Sequence, residues 1–133
     1  MTLEPLLAAS PVIIVHAFAA MGAFVVGVVQ LAGPKGTTAH RTLGWIWVLT
    51  MATIAISSFW IHGINRTGNY SWIHGLSVLV LVMLPLAVLA ARRHHVSAHR
   101  KTMIGLFVGA LVIAGLFTLM PGRIMHQVVF ASK

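Results

Sequence analysis

The sequence predicts an all-α integral membrane protein, a four-helix bundle built from two parallel two-helix repeats. Three observations point there. Hydrophobic residues make up 59% of the 133-residue chain and charged residues 8%, with a mean hydropathy of +0.95, a balance foreign to water-soluble domains. Four apolar stretches, roughly residues 11–32, 40–61, 72–91 and 99–120, approach or exceed the about 20 residues of helix that cross a hydrocarbon core. The tetrapeptides Thr38-Ala39-His40-Arg41 and Ser97-Ala98-His99-Arg100 open the second and fourth stretches, the mark of a unit used twice.

Each stretch has start and stop signals. Ser10-Pro11 supplies an N-cap and a proline at the first helical position of the first span, and Gly33-Pro34-Lys35-Gly36 ends it. Thr38, Ser71 and Ser97 are the expected N-caps of the other three. Residues 63–68, with Asn65 and Asn69, read as a polar turn between spans two and three. Pro85 lies inside the third span, where a bend rather than a break is expected. Pro121-Gly122 closes the fourth. The whole chain, 1–133, reads as one transmembrane domain: repeat one about 10–62, repeat two about 71–121, and a short C-terminal tail, 122–133.

Orientation follows from the basic residues near the span ends. Lys35, Arg41, Arg92, Arg93, Arg100 and Lys101 fall on one side, against Arg66, Arg123 and Lys133 on the other. The first set should face the cytoplasm, with both termini on the outer side. The N-terminal stretch has Glu4 and no basic region, so the first span reads as retained rather than cleaved. A basic collar against anionic lipid accounts for most of the net charge of +8 without nucleic acid.

Four of the eight histidines form two pairs, His16 with His40 and His74 with His99, separated by 24 and 25 residues. With alternating span directions, His16 and His74 each lie about a turn past the outer start of a span and can face each other at one depth. His40 and His99 open the inner ends of the other two spans and can do the same. With helices one and three diagonal, each pair lies across the core, an arrangement suited to clamping a planar macrocycle between axial imidazoles. At about 1.5 Å per residue the two pairs are about 25 to 30 Å apart. Gly22, Gly27, Gly44, Gly75, Gly105 and Gly109 offer room for flat rings, or for ordinary close packing of helices in lipid. These four histidines are therefore the candidate metal and cofactor ligands, with a core histidine bonded to a carbonyl as the plainer reading.

The remaining polar residues have simpler readings. Arg41 and Arg100, directly after the inner histidines, suit haem propionates, a quinone or a lipid phosphate, or belong to the basic collar. His62 reads as interfacial, and His94, His95 and His126 as solvated. Trp45, Trp47, Trp60 and Trp72 read as belt anchors. Glu4 is the single acidic residue and there is no cysteine, so acid–base catalysis by paired carboxylates, an acidic proton relay and thiolate ligation are excluded. No catalytic residue is assigned. A histidine-only zinc or copper site would lack the usual carboxylate support.

The His-Arg openings, the early histidines of spans one and three, and the ending Pro121-Gly122-Arg123-Ile124-Met125 resemble a family of small bacterial four-span proteins catalogued as a domain of unknown function. The resemblance covers nearly the whole chain and implies a multi-pass protein of the bacterial inner membrane. More distantly, the layout is similar to di-haem b-type cytochromes of transmembrane electron transfer, in which alternate helices of four share a haem. That likeness implies an outer haem on His16 and His74 and an inner one on His40 and His99. The spacing here is shorter and sets the inner histidines near the membrane surface.

The expected function is therefore that of a membrane cytochrome holding one or two haem b groups. It would pass electrons between a quinone or redox partner and an acceptor across the bilayer, and any enzymatic role would be that of a membrane oxidoreductase. A cofactor-free assembly or interaction subunit, or a transporter of a small solute or metal, are the alternatives. Membrane lipid is the one partner that composition alone requires.

Overall fold

The computed structural model describes residues 2–60 and 72–130, and the side chains of all of these except 72 and 73. The turn expected at 63–68, the cap Ser71, and His62, Arg66, Asn69 and Lys133 lie outside the described residues. Every regular element among the described residues is helical. A short α1 (Glu4–Leu7) precedes the long helices α2 (Pro11–Ala32), α3 (Thr38–Ser58) and α4 (Trp72–Arg92). Helix α5 (Val96–Leu106) then runs through a π-helical segment, Phe107–Ile113, into α6 (Ala114–Thr118), and α7 (Ile124–Phe130) ends the fold.

Three stretches are long and apolar enough to cross a membrane: Pro11–Ala32, His74–Arg92 and Val96–Thr118. The expected second span, α3, is a helix of 21 residues, but Arg41 and interleaved threonines and serines make it less apolar than the others. Its hydroxyls are satisfied within the helix. Thr50 donates to the Ile46 carbonyl at 2.7 Å, Thr53 to Leu49 at 3.0 Å, Ser57 to Ile54 at 3.0 Å and Ser58 to Ala55 at 2.6 Å. Such back-bonding conceals polar groups from a low-dielectric surrounding.

The caps differ from expectation by a residue or two. Thr37, not Thr38, caps α3, its hydroxyl accepting the His40 N–H at 3.0 Å. Helix α5 starts at Val96 with His95 flanking it, so Ser97 lies inside the first turn rather than at the cap. There His94 adopts φ 60°, a left-handed turn that reverses the chain between α4 and α5 within three residues. Pro11 occupies the first turn of α2 as anticipated, although Ser10 makes no side-chain cap bond. At the other end of α2 the Lys35 ammonium donates to the carbonyls of Gln30, Leu31 and Gly33, doing the work of a C-cap. Helix α4 is continuous across Pro85.

Helix α2 packs on α3, α3 on α4, α4 on α5, and the π segment back on α2. Thus α2 and α4 both touch α3 and the helix that begins at Val96. The core between them is made by Ala23, Trp47, Met51, Ala55, Val80, Leu84, Leu106, Phe107 and Leu111. Outward positions are as apolar as inward ones: Val25, Leu49 and Leu116 are each more than 60% exposed, which suits a surface solvated by lipid.

Two expectations about packing are corrected here. Gly27 is no cofactor recess: a Cβ there would lie 2.5 Å from the Phe107 ring and 3.2 Å from the Trp47 indole nitrogen. Phe107, stacked on Phe24 with ring centroids 5.6 Å apart, already fills that space. Trp47 is 3% exposed and donates its indole N–H to the Ala23 carbonyl at 3.0 Å, so it is a core residue rather than a belt anchor. By contrast, nothing lies within 4 Å of a Cβ built at Gly22, Gly75, Gly105 or Gly109.

The ends of the chain carry structure that the sequence reading left as a tail. Helices α1 and α7 pack together, with Leu6 fully buried and Val128 4% exposed. The Thr2 N–H donates to the Val128 carbonyl at 3.0 Å. Both ends therefore lie on the same side of the helices. Gly122, at φ 89°, provides the left-handed residue that turns the chain from α6 into α7.

Candidate functional site

The candidate histidines fall at the two ends of α3. At its C-terminal end the imidazole Nδ1 of His16, six residues into α2, lies 2.8 Å from the Ser57 hydroxyl. Ser57 has one hydroxyl hydrogen, directed at the Ile54 carbonyl. Toward His16 its oxygen therefore accepts, Nδ1–H donates, and Nε2 is left as a lone pair. Next along α3, Ser58 is hydrogen-bonded to Ser77 of α4. His74, one turn before Ser77 and only 4% exposed, sets its ring against Phe59, centroids 5.8 Å apart. His16 and His74 thus both meet α3 within three consecutive residues, 57 to 59, from the two helices that flank it.

At the other end, His99 of α5 donates Nδ1–H to the Ala87 carbonyl of α4 at 2.8 Å. A carbonyl can only accept, so here too the tautomer is fixed and Nε2 carries the lone pair. His40 is held through its backbone: its N–H by the Thr37 hydroxyl and its carbonyl by the Gln30 amide at 2.8 Å. Its Nδ1 is buried and has no hydrogen-bond partner among the described residues. His40 and His99 are near enough to interact through their charges, and Lys35 adds to the positive field at His40. From His40 to Ser57 the helix rises about 25 Å, which sets the distance between the two layers.

Between the layers the interior is closed by Trp47, Met51, Phe107 and Leu111. Arg41 and Arg100 are exposed beside the inner layer, in position to meet an anionic group approaching from the basic face. Among the described residues no three metal-ligating side chains converge.

Sequence reasoning missed several participants. Ser57, Ser58 and Ser77 carry no spacing signal of their own, and become visible only when α3 is set against α2 and α4. His126, read as solvated, donates Nδ1–H to the Leu119 carbonyl at 2.7 Å and packs on Phe130. Its position four residues before Phe130 on a helix was the available hint. Arg92 lies over the Trp45 ring, 5.9 Å from its centroid, a cross-helix contact that links the basic loop to α3.

Neither the curated proteins nor the solved structures contain a match to this chain. A family model does match it over residues 13–132, which takes in both histidine layers and every long helix. The chain belongs to that family, described as Predicted membrane protein (DUF2306).

Proposed function

We propose that the protein is a b-type haem-binding membrane protein that carries electrons across the bilayer. In this reading α3 is the fourth span, and the helices form a four-helix bundle of two parallel repeats in the bacterial inner membrane, with both termini on the outer side. His16 and His74 would hold an outer haem, and His40 and His99 an inner one. Arg41 and Arg100 would meet the propionates of the inner group.

The observation that carries the proposal is the hydrogen bonding of His16 and His99. Each donates Nδ1–H to an acceptor on a neighbouring helix, which fixes the ring and raises the basicity of Nε2, the support that metal-bound imidazoles have in general. The chain offers two histidines per layer and no larger ligand cluster among the described residues, and two axial positions are what a haem requires. Bound haem would supply reversible one-electron chemistry. The chain would supply orientation, exclusion of water and the spacing between the layers. The filled middle, Trp47 and Phe107 among it, places each group at an end layer.

The test is the visible spectrum of detergent-purified protein before and after dithionite, with His16→Ala, His99→Ala and His126→Ala alongside. His126 shares the Nδ1–carbonyl bond but stands outside the pairs, so its variant should keep full colour. Each of the other two should lose part of the Soret and α bands. A colourless wild type, even when expressed with added haem, would overturn the proposal and leave the histidines as packing residues of a cofactor-free subunit.

A further inference from the structure

We propose that the groove between α3 and α4 on the basic side binds one anionic phospholipid, its phosphate on Arg92 and one acyl chain along the groove. The groove has a volume of about 460 Å³. Val48 and Ala52 wall it from α3, and Leu81, Pro85 and Val88 from α4. Trp45 and Arg92 stand at its mouth, the guanidinium 5.9 Å from the indole centroid.

Length and charge together select this occupant. From Leu81 to Arg92 the α4 axis rises about 16 Å, close to the depth of one leaflet of a hydrocarbon core about 30 Å thick. The walls are apolar over that depth, and the single cation at the mouth falls where a phosphate would lie. Arg92 ends α4 and Arg93 follows it, while the chain's only acidic residue, Glu4, belongs to α1. The counter-charge for Arg92 must therefore come from outside the protein. A guanidinium with one face on an indole keeps its N–H edge for phosphate oxygens. A second groove, near Pro11, Val15, Ile56 and Trp60, has a similar volume of about 420 Å³ and no charged residue in its walls. It has nothing to select one headgroup over another, which makes it an internal contrast.

The inference rests on α3 lying in the bilayer and is independent of haem. Native mass spectrometry of the protein in an equimolar mixture of phosphatidylglycerol and phosphatidylcholine reads it directly, whether or not the preparation is coloured. One phosphatidylglycerol should be retained in preference to phosphatidylcholine. Arg92→Gln should lower its retention about fivefold, the effect of one basic residue at an anionic surface. Ala52→Leu, which narrows the groove without altering charge, should lower retention of both lipids. Lys101→Gln, on the same basic face but outside the groove, should leave retention unchanged. Equal retention of the two lipids, an unchanged R92Q, or a K101Q loss as large as that of R92Q would overturn the site in favour of a diffuse basic collar. Displacement of the bound lipid by a quinone at equal mole fraction would overturn it in favour of a neutral ligand. Fusion reporters after residues 35 and 93 locate the two ends of α3 and α4 separately, so a failure of the spanning assignment is distinguished from a failure of lipid binding.

Discussion

His16 Nδ1 and the Ser57 hydroxyl lie 2.8 Å apart, joining α2 to α3 across 41 residues of sequence. The Ser57 proton is committed to Ile54, so this one contact determines which imidazole nitrogen remains available. The same relationship recurs at the opposite end of the molecule, where Ala87 plays the part of Ser57 for His99.

Ser57→Ala removes the acceptor and leaves Nδ1–H unpaired in an apolar setting, at a cost of about 1–3 kcal/mol. Under the haem reading it should also weaken haem affinity about 10- to 100-fold, the usual effect of losing the group that orients a ligand. Ser57→Thr keeps the hydroxyl and should restore most of both. Haem titration of the apoprotein, followed at the Soret band, separates the two effects from each other. Unaltered affinity in S57A would show that this contact serves packing alone.

Gly27 and Gly22 lie on the same helix and predict opposite outcomes. Gly27→Ala sets a methyl group 2.5 Å from the Phe107 ring, an overpacking that costs about 1–3 kcal/mol. Phe107→Leu in the same chain should recover part of that loss. Gly22→Ala meets nothing within 4 Å and should be neutral or stabilising by up to about 1 kcal/mol, since alanine favours helix. Thermal denaturation in one detergent orders the three variants. If Gly22→Ala is the more damaging, the packing of α2 against the π segment is wrong.

The two chain ends pack on each other through Leu6 and Val128, and the basic loops at Lys35 and Arg93 are set at the far ends of the long helices. Reporters fused at either terminus should therefore give the same sidedness, and reporters in the two basic loops the opposite one. Basic loops are retained in the cytoplasm, so the termini should report outside. Opposite sidedness of the two termini would require an odd number of spans and would remove α3 from the membrane.

Hydropathy, helix-breaking residues and the repeated tetrapeptide were enough to place the long helices, because in lipid the backbone has few choices other than helix. Pro11 and Ala32 bound α2 as the sequence alone suggests. The limits of such reading are seen at α3, whose threonines lower its hydropathy while bonding back to their own helix, a satisfaction invisible in composition. They are seen again at Trp47. A tryptophan seven residues from a histidine-arginine opening resembles an interfacial anchor, and only the approach of α2, made possible by Gly27, turns it inward. The histidine layers were legible as a spacing, but the serines that complete the outer one were not, since serine in a membrane helix is common and its partner belongs to another helix. Likewise α1 and α7 are too short for periodicity to identify, and they are stabilised by each other.

Trp47 tests how far the core depends on shape rather than on polar contacts. Its indole N–H donates to the Ala23 carbonyl at 3.0 Å, yet that carbonyl also faces a helical N–H, so losing the donor leaves no acceptor stranded. Hydrogen bonds between membrane helices are worth about 0.6 kcal/mol on average, and Trp47→Phe should cost little more than that. Trp47→Ala instead opens a cavity where Ala23, Gly27 and Phe107 converge, and loss of a buried tryptophan costs about 3–5 kcal/mol. The contacts forfeited are dispersion contacts, which lipid cannot restore inside a closed core. Equilibrium unfolding in mixed micelles should therefore rank W47F close to wild type and W47A far below it. Equal losses would mean that the α2–α3 interface is held by the hydrogen bond, and the close approach at Gly27 would then need another cause.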